Sequence, residues 1–408
     1  MPAFDAVVAG HICLDVIPDL SRDGENRLET LLLPGRLTQV GPVTLSTGGL
    51  VSNTGLALTR LGIKTLLMGK VGDDLFGQAI KQIVNSYGPH LADGMVVDKA
   101  ASSSYTIIIS LPGVDRAFLH CPGANDTFGA DDVRYDLLPG ARWFHFGYPP
   151  LMKLMFENDG AQLVEVFRRA KATGVTTSLD MALPDPSSAA GSADWETILR
   201  ETLPYVDVFL PSIEEILYML RRQTYDDLCQ AAGGPNFLSL ITPPLLSDLS
   251  RQLLELGVTI VVLKLGERGL YLRTAGQATV QALGRARPSQ PAIWADQELW
   301  APCFKAQVVG TTGSGDATIA GFLSALLRDM SPQEAVTMAV AVGACNVEAA
   351  DALSGLGGWD ETLERVKQGW PRHPLDLSAR GWLWDERFGL WMNKTKGRQT
   401  STAQQFPL

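Results

Sequence analysis

Several features that would tie a chain to a metal scaffold, a membrane or a nucleic acid are missing here. Paired cysteines are absent. Cys13, Cys121, Cys229, Cys303 and Cys345 stand singly and no CxxC occurs, which argues against a zinc scaffold. Their apolar or small-residue surroundings read as free thiols in a reducing compartment. A surplus of positive charge is absent too. The 34 Lys and Arg against 44 Asp and Glu leave a net charge of −10. That argues against nucleic acid or an acidic membrane as the main partner, while leaving room for a local cationic site. No window approaches the ~18 uninterrupted apolar residues of a spanning helix. The opening MPAFDAVVAG has neither the basic stretch nor the long apolar core of a signal peptide. A soluble, cytoplasmic protein is the expectation. No GxGxxG opens the first helix after the first strand, so a nicotinamide-dependent dehydrogenase fits poorly. No fixed period repeats.

What is present is ordinary globular composition, 46% hydrophobic and 19% charged over 408 residues, enough for one large domain or two of common size. Short apolar runs at Phe4–Ala9, Ile63–Val71, Trp143–Phe146, Thr176–Asp180, Val206–Leu210 and Val258–Leu263 read as buried strands. His11–Ile17 reads as a continuation of the first. Helical patterns follow several of them, closing at Gly62, running to about Tyr87, and covering 159–173, 213–222, 313–328 and 332–350. Strand and helix alternating through short links means right-handed crossovers and a parallel sheet. Segments 16–45 and 102–120 carry β-type runs outside that alternation and read as a small separate sheet, a lid over the main one. Residues 221–247 and 274–302 show little periodicity. Beyond about 359, Trp359, Trp370, Trp382, Trp384 and Trp391 appear among Pro, Arg and Gly. That stretch is too short for its own core and is expected to dock on the main domain or on a partner subunit. The last dozen residues read as disordered.

The rest is organised around residues 308–328, VVGTTGSGDATIAGFLSALLR. Gly313, Ser314 and Gly315 form a small-residue turn, and Asp316 follows at the opening of an apolar helix. First-turn N–H groups lack helical partners, and the helix dipole places roughly half a positive charge at that end. A phosphate can approach closely there. A carboxylate beside it can act as general base for an attacking hydroxyl, so the pieces point to phosphoryl transfer. The bland alternative is a loop with an Asp cap. Against it, Asp15, Asn53, Asp180, Glu215 and Asp316 all fall just past predicted strands or in the first turns of following helices. In an open parallel sheet that is the ligand-facing edge.

In order and spacing the chain resembles the ribokinase-like sugar kinases, the phosphofructokinase-B family, along roughly residues 4–356. The N-terminal signature is matched by GGLVSNTGLALTRLGIKTLLMGKVGDDLFG at 48–77 and the C-terminal one by GTTGSGDATIAGFL at 310–323. LPSIEE (210–215) and LKLGERG (263–269) resemble the segments on the nucleotide side. The resemblance implies a central, mostly parallel α/β sheet flanked by helices, with a small β lid made of segments near 16–45 and 99–120. A kinase domain would then span 1–356 and a Trp-rich extension 357–408. It implies Asp316 as catalytic base and Gly313, Ser314 and Gly315 as anion hole. Asp15, Gly48, Gly49 and Asn53 would bind the sugar, and Ser212, Lys264, Gly266 and Gly269 the nucleotide. Glu215 would help hold Mg²⁺ through water, with few protein ligands needed.

Two positions depart from the family. Gly310 stands where Asp is usual, which removes support for a monovalent-cation (K⁺) site. Ser212 stands where Asn is usual and reaches less far. The expected function is ATP-dependent phosphorylation of a hydroxymethyl group on a sugar or sugar derivative. One alternative is a nucleoside kinase of the same fold, with Tyr105, Phe118 or Tyr148 stacking on the base. Another is a weakly active sugar-binding homologue, motivated by Gly310 and Ser212. Acceptor choice is expected to lie with His11, Arg36, His120, Asn125 and Tyr148. The expected partners are small molecules, without nucleic acid or membrane, with pairing into a homodimer through the lid.

Overall fold

A computed structural model describes residues 4–20, 33–111, 117–377 and 379–394. The main sheet has ten strands. Six run parallel, in the spatial order Thr65–Met68, Phe4–Gly10, Ala141–Gly147, Thr176–Asp180, Val208–Phe209, Ile260–Lys264. Four more, Leu270–Thr274, Glu298–Ala301, Leu390–Asn393 and Trp382–Asp385, continue the sheet antiparallel. Burial on both faces explains the near-continuous apolar runs. Ala6 and Val8 pack into one core, Val7 and Ala9 into the other. Ile260 and Val262 alternate in the same way with Val261 and Leu263.

A second sheet of four strands, Val43–Gly48, Cys13–Pro18, Tyr105–Ile109 and Ala117–Cys121, stands apart. The chain enters it directly from the main sheet: after Gly10 the strand breaks at His11–Ile12, so His11–Ile17 is not one continuation of the first strand. Ile63–Val71 likewise divides, its second part (Lys70–Gly72) pairing with Val96–Asp98 in a two-stranded ribbon. The Pro112–Gly113 turn, Arg116 and the last dozen residues lie outside the described residues.

Two segments read as irregular are ordered. Residues 222–232 form a helix with no fully buried residue, whose short apolar face of Tyr225, Leu228 and Cys229 only half-buries against the core and so gives a weak periodic signal. Glu298–Ala301 is a buried strand of four residues, too short for a pattern. The Trp-rich segment supplies a helix, Trp359–Lys367, and the two outermost strands of the main sheet. Its tryptophans pack on the sheet edge: Trp382 lies edge-on to Trp300, and Trp384 to Trp391. Among the described residues no helix is long and apolar enough to cross a membrane.

Candidate active site

Two helices meet at the ligand-facing edge of the parallel strands. Leu50–Arg60 is buried on nearly every side, so its polar residues Asn53 and Thr54 must find partners inside the protein. Ser314–Leu327 packs beside it with Asp316, 4% exposed, in its first turn. Asn53 Nδ2 donates to Asp316 Oδ2 (3.1 Å) and Thr54 Oγ1 to Oδ1 (2.9 Å). The Tyr148 hydroxyl donates to Oδ2 (2.9 Å). A carboxylate offers about four lone-pair sites, so three donors leave room for one more. Burial raises the Asp316 pKa, against the pull of Lys264 and of these three hydrogen bonds.

On one side of Asp316 opens a cleft of about 690 Å³. Asp15, Gly48, Gly49, Asn53, Tyr148, His11 and His120 line it. Asp15 sits on the strand Cys13–Pro18 of the small sheet and faces the cleft, and burial pushes its carboxyl up to about 6. Gly49 (φ 85°) is required where it stands: a Cβ there would lie 2.5 Å from His11 Nδ1 and 2.6 Å from the His11 carbonyl oxygen. His11 is 2% exposed, and neither ring nitrogen has a hydrogen-bond partner among the described residues. Burial, with His120 beside it, lowers its pKa to about 3, so it is a neutral imidazole with two polar atoms on the cleft wall. The cation on this wall is missing: no Lys or Arg lines the cleft among the described residues.

On the other side is a cavity of about 320 Å³ lined by Lys264, Gly266, Gly269, Ser314 and Gly315 together with apolar residues. Gly313 caps the helix in the left-handed region (φ 71°), which favours glycine. The first intrahelical bond runs from Ala317 N–H to Gly313 O (2.8 Å), so the N–H groups of Gly315 and Asp316 precede the ladder and point out of the helix end. Lys264 Nζ bonds Asp180 Oδ1 at 2.5 Å. Burial alone would lower the ammonium's pKa, but Asp180, Glu215 and Asp316 more than offset it and the pKa is raised. Lys264 is therefore a charged, largely buried lysine, 13% exposed, and a Cβ on Gly315 would lie 3.8 Å from its Nζ. Asp180 Oδ2 is buried without a partner among the described residues.

The residues singled out from the sequence divide in their use. Ser212 caps the helix Ile213–Leu220 in a reciprocal box: its N–H donates to Glu215 Oε2 (2.6 Å), and its Oγ accepts from Glu215 N–H (3.3 Å). One oxygen of Glu215 is thus committed to the helix cap. Asn125 is spent on Ile12, donating to its carbonyl (2.9 Å) and accepting from its N–H (3.2 Å). Arg36 lies on the exposed approach to Val43–Gly48 and is not part of the cleft wall. Gly310 stands against backbone. A Cβ would meet Ala349 O and Ala350 Cα and O at 3.0 Å, so an aspartate there needs the 349–350 segment to give way.

One functional candidate, Thr54, escaped sequence reading, and a second, Tyr148, expected at the acceptor or stacked on a base, also holds Asp316. Thr54 is the residue after Asn53, a hydroxyl with no sequence mark of its partner. Tyr148 holds a left-handed backbone (φ 63°), a strained conformation for a bulky residue that points to function. The sequence marked Tyr148 for acceptor choice or base stacking, whereas its bond to Asp316, 168 positions away, has no local sign. No group of three or more His, Cys, Asp or Glu is placed to hold a metal among the described residues.

A model of the pfkB family carbohydrate kinases matches residues 4–356. Over 372 residues the chain is 24% identical to the fructokinase of Solanum tuberosum, covering 88% of this chain and 95% of that one. Its fold is similar to that of Arabidopsis thaliana ribokinase complexed with ribose and ATP (TM-score 0.64, 20% identity, 90% of this chain, 99% of that one). It is similar to that of Xylella fastidiosa fructokinase with bound ATP as well (TM-score 0.63, 19% identity, 89% and 98%).

Proposed function

Since the chain belongs to the pfkB family of carbohydrate kinases, and so is a sugar kinase, we propose that Asp316 is the base that activates the acceptor's hydroxyl. The observation that carries this is the placement of one buried carboxylate at a helix N-terminus, with Asn53 and Tyr148 joining it to one cleft and Gly315 to the other. The 690 Å³ cleft takes the acceptor and the 320 Å³ cavity the triphosphate end of ATP. A hydroxymethyl group donates to the one open lone pair of Asp316, and its oxygen attacks the γ-phosphorus. The new O–P bond forms as the bond to the β-phosphate oxygen breaks. The proton passes to Asp316 and ADP carries off the released pair. Fixed groups aimed at the developing charge supply the stabilisation: the N–H groups of Gly315 and Asp316 and the ammonium of Lys264. Closure of the four-stranded sheet over the cleft excludes water and limits hydrolysis of ATP.

The donor set fits Mg²⁺ held through water. The bare Asp180 Oδ2 and the Glu215 oxygen outside the helix cap lie near Lys264 without forming a cage among the described residues, and Mg²⁺ keeps most of its waters. Bound there, it would neutralise phosphate charge. Gly310 offers no carboxylate for K⁺.

A wall with carboxylates and, among the described residues, without Lys or Arg favours an uncharged sugar over an acidic one. Phe118, 58% exposed, lines the same cleft, and that flat surface favours a nucleoside as the second acceptor class. Release of ADP with fructose or ribose but not with adenosine separates the two. The decisive experiment on the base is Asp316→Asn, which keeps shape and loses proton affinity. kcat is expected to fall roughly 10²–10⁴-fold, the usual contribution of general-base catalysis, with acceptor binding retained. Near-normal turnover would remove Asp316 from the mechanism.

A further inference from the structure

The residues that follow the family match return to the nucleotide cavity. After the helix Trp359–Lys367 the chain runs antiparallel to residues 302–305, with Phe304 and Arg372 paired as a β-bridge. Lys305 N–H donates to Pro371 O (2.8 Å) and His373 N–H to Cys303 O (2.8 Å). Trp370 Nε1 donates to Lys305 O (2.7 Å), and its ring stacks on Phe304 at 4.7 Å. Arg372 lies 4.1 Å over the Phe304 ring and donates to Pro302 O (2.7 Å), Phe388 O (3.1 Å) and Thr337 Oγ1 (3.1 Å). Backbone pairing, ring stacking and a forked guanidinium fix this strap tightly. Beyond it, Leu390–Asn393 adds to the strand Glu298–Ala301 and holds the other end.

The strap has a consequence at the cavity. Lys264, Ser314 and Gly315 claim its phosphate end. Away from it, Val308, Val340, Ala344 and Val347 give an apolar bed, with Glu267, Thr311 and Thr318 as polar groups on the wall, and His373 of the strap, an exposed residue, lines the same cavity. A purine needs a flat apolar bed and one or two polar contacts at its edge, and an imidazole can provide either a hydrogen bond or a stacking face. We propose that the C-terminal extension is part of the nucleotide site, its strap setting His373 against the base of the bound triphosphate. This rests on the reading of the 320 Å³ cavity as the ATP site.

The test compares ATP with inorganic tripolyphosphate, which has no base, as ligands of the full-length protein and of His373→Ala, by calorimetry in the presence of Mg²⁺. His373 is exposed, so the variant should melt with the native protein. ATP affinity is expected to fall about five- to tenfold, while tripolyphosphate affinity and the KM for the sugar stay unchanged. Equal ATP affinity in the two proteins overturns the proposal, as does equal weakening of ATP and tripolyphosphate, which would mean a disturbed cavity rather than a lost base contact. A native protein that binds no ATP sinks the phosphotransferase reading and this inference together. Normal ATP binding that ignores the substitution sinks the inference alone.

Discussion

The two clefts that flank Asp316 are built from different materials. The proposed acceptor side is lined by polar side chains: Asp15, His11, Asn53, Tyr148 and His120. The proposed nucleotide side is lined largely by glycines and small apolar groups, with Glu267 and His373 among its polar residues and Lys264 as its cation. A phosphate chain is the same in every triphosphate, so a helix end and one ammonium suffice to hold it. An acceptor must be told from its isomers, and hydroxyl recognition needs individually placed side chains. Single substitutions should therefore grade acceptor affinity on one side. On the other, most should be silent and one should be severe.

The severe one is Lys264→Met. It removes the ammonium aimed at the phosphates and should lower kcat about 10²–10³-fold, as for loss of one preorganised charge. It also strips Asp180 of its partner. Breaking a buried pair from one side costs about 3–5 kcal/mol when the remaining charge stays buried. Burial pushes the Asp180 carboxyl up, so without Lys264 it takes a proton. A raised carboxyl pKa is lost stability as pH rises above the ordinary carboxylate range, and the variant's melting deficit should be deeper at pH 8 than at pH 5. Lys264→Met/Asp180→Asn should recover melting and leave kcat low. Recovery of turnover in that double variant would show that the lysine serves only to neutralise Asp180.

Next in size is Tyr148→Phe, on the acceptor side but touching the base. The Tyr148 hydroxyl is one of the groups that hold the Asp316 pKa down. Its loss lets burial raise that pKa further, so more of the base is protonated at a given pH. kcat/KM should fall about tenfold near neutrality, in line with a hydrogen bond to a charged group. The acid limb of its pH profile should move to higher pH. A uniform loss across the profile would assign Tyr148 to packing, and the comparison between the two clefts would lose its most direct link.

The same contrast explains what the sequence could show. Asp316, Gly313 and the strand-end Asp180 were legible because local chemistry announces them, a small-residue turn before a helix or a charge at the end of an apolar run, whereas Lys264 was marked only by the family resemblance. Asn53 was readable as a polar residue in an apolar helix, but its bond to Asp316 spans 263 positions and has no local trace. Ser212 carried two local meanings, cap and ligand, and the reciprocal hydrogen bonds with Glu215 realise the cap. The Trp-rich extension announced itself by composition. Its edge strands and its return to Phe304 depend on where the sheet ends in space, which no window of sequence contains.

The smallest effect expected lies with Asp15, and it tests whether the acceptor wall works through charge. The carboxyl is held at about 6 by burial. In the empty protein, ionised Asp15 is thus disfavoured by the fold, and stability falls slightly as pH rises from the carboxylate range through 6. A sugar hydroxyl that donates to the carboxylate favours the ionised form and draws the pKa back down. Acceptor binding should therefore release a fraction of a proton between about pH 5 and 6.5 and none at pH 8. Calorimetry in two buffers of different ionisation enthalpy reads that fraction directly. Affinity should decline as pH drops through 6, and Asp15→Asn should bind more weakly and without the pH dependence. Binding that releases no proton at pH 5.5 would place the sugar's hydroxyls elsewhere on the wall, on His11 or Asn53, and leave Asp15 as a structural group of the small sheet.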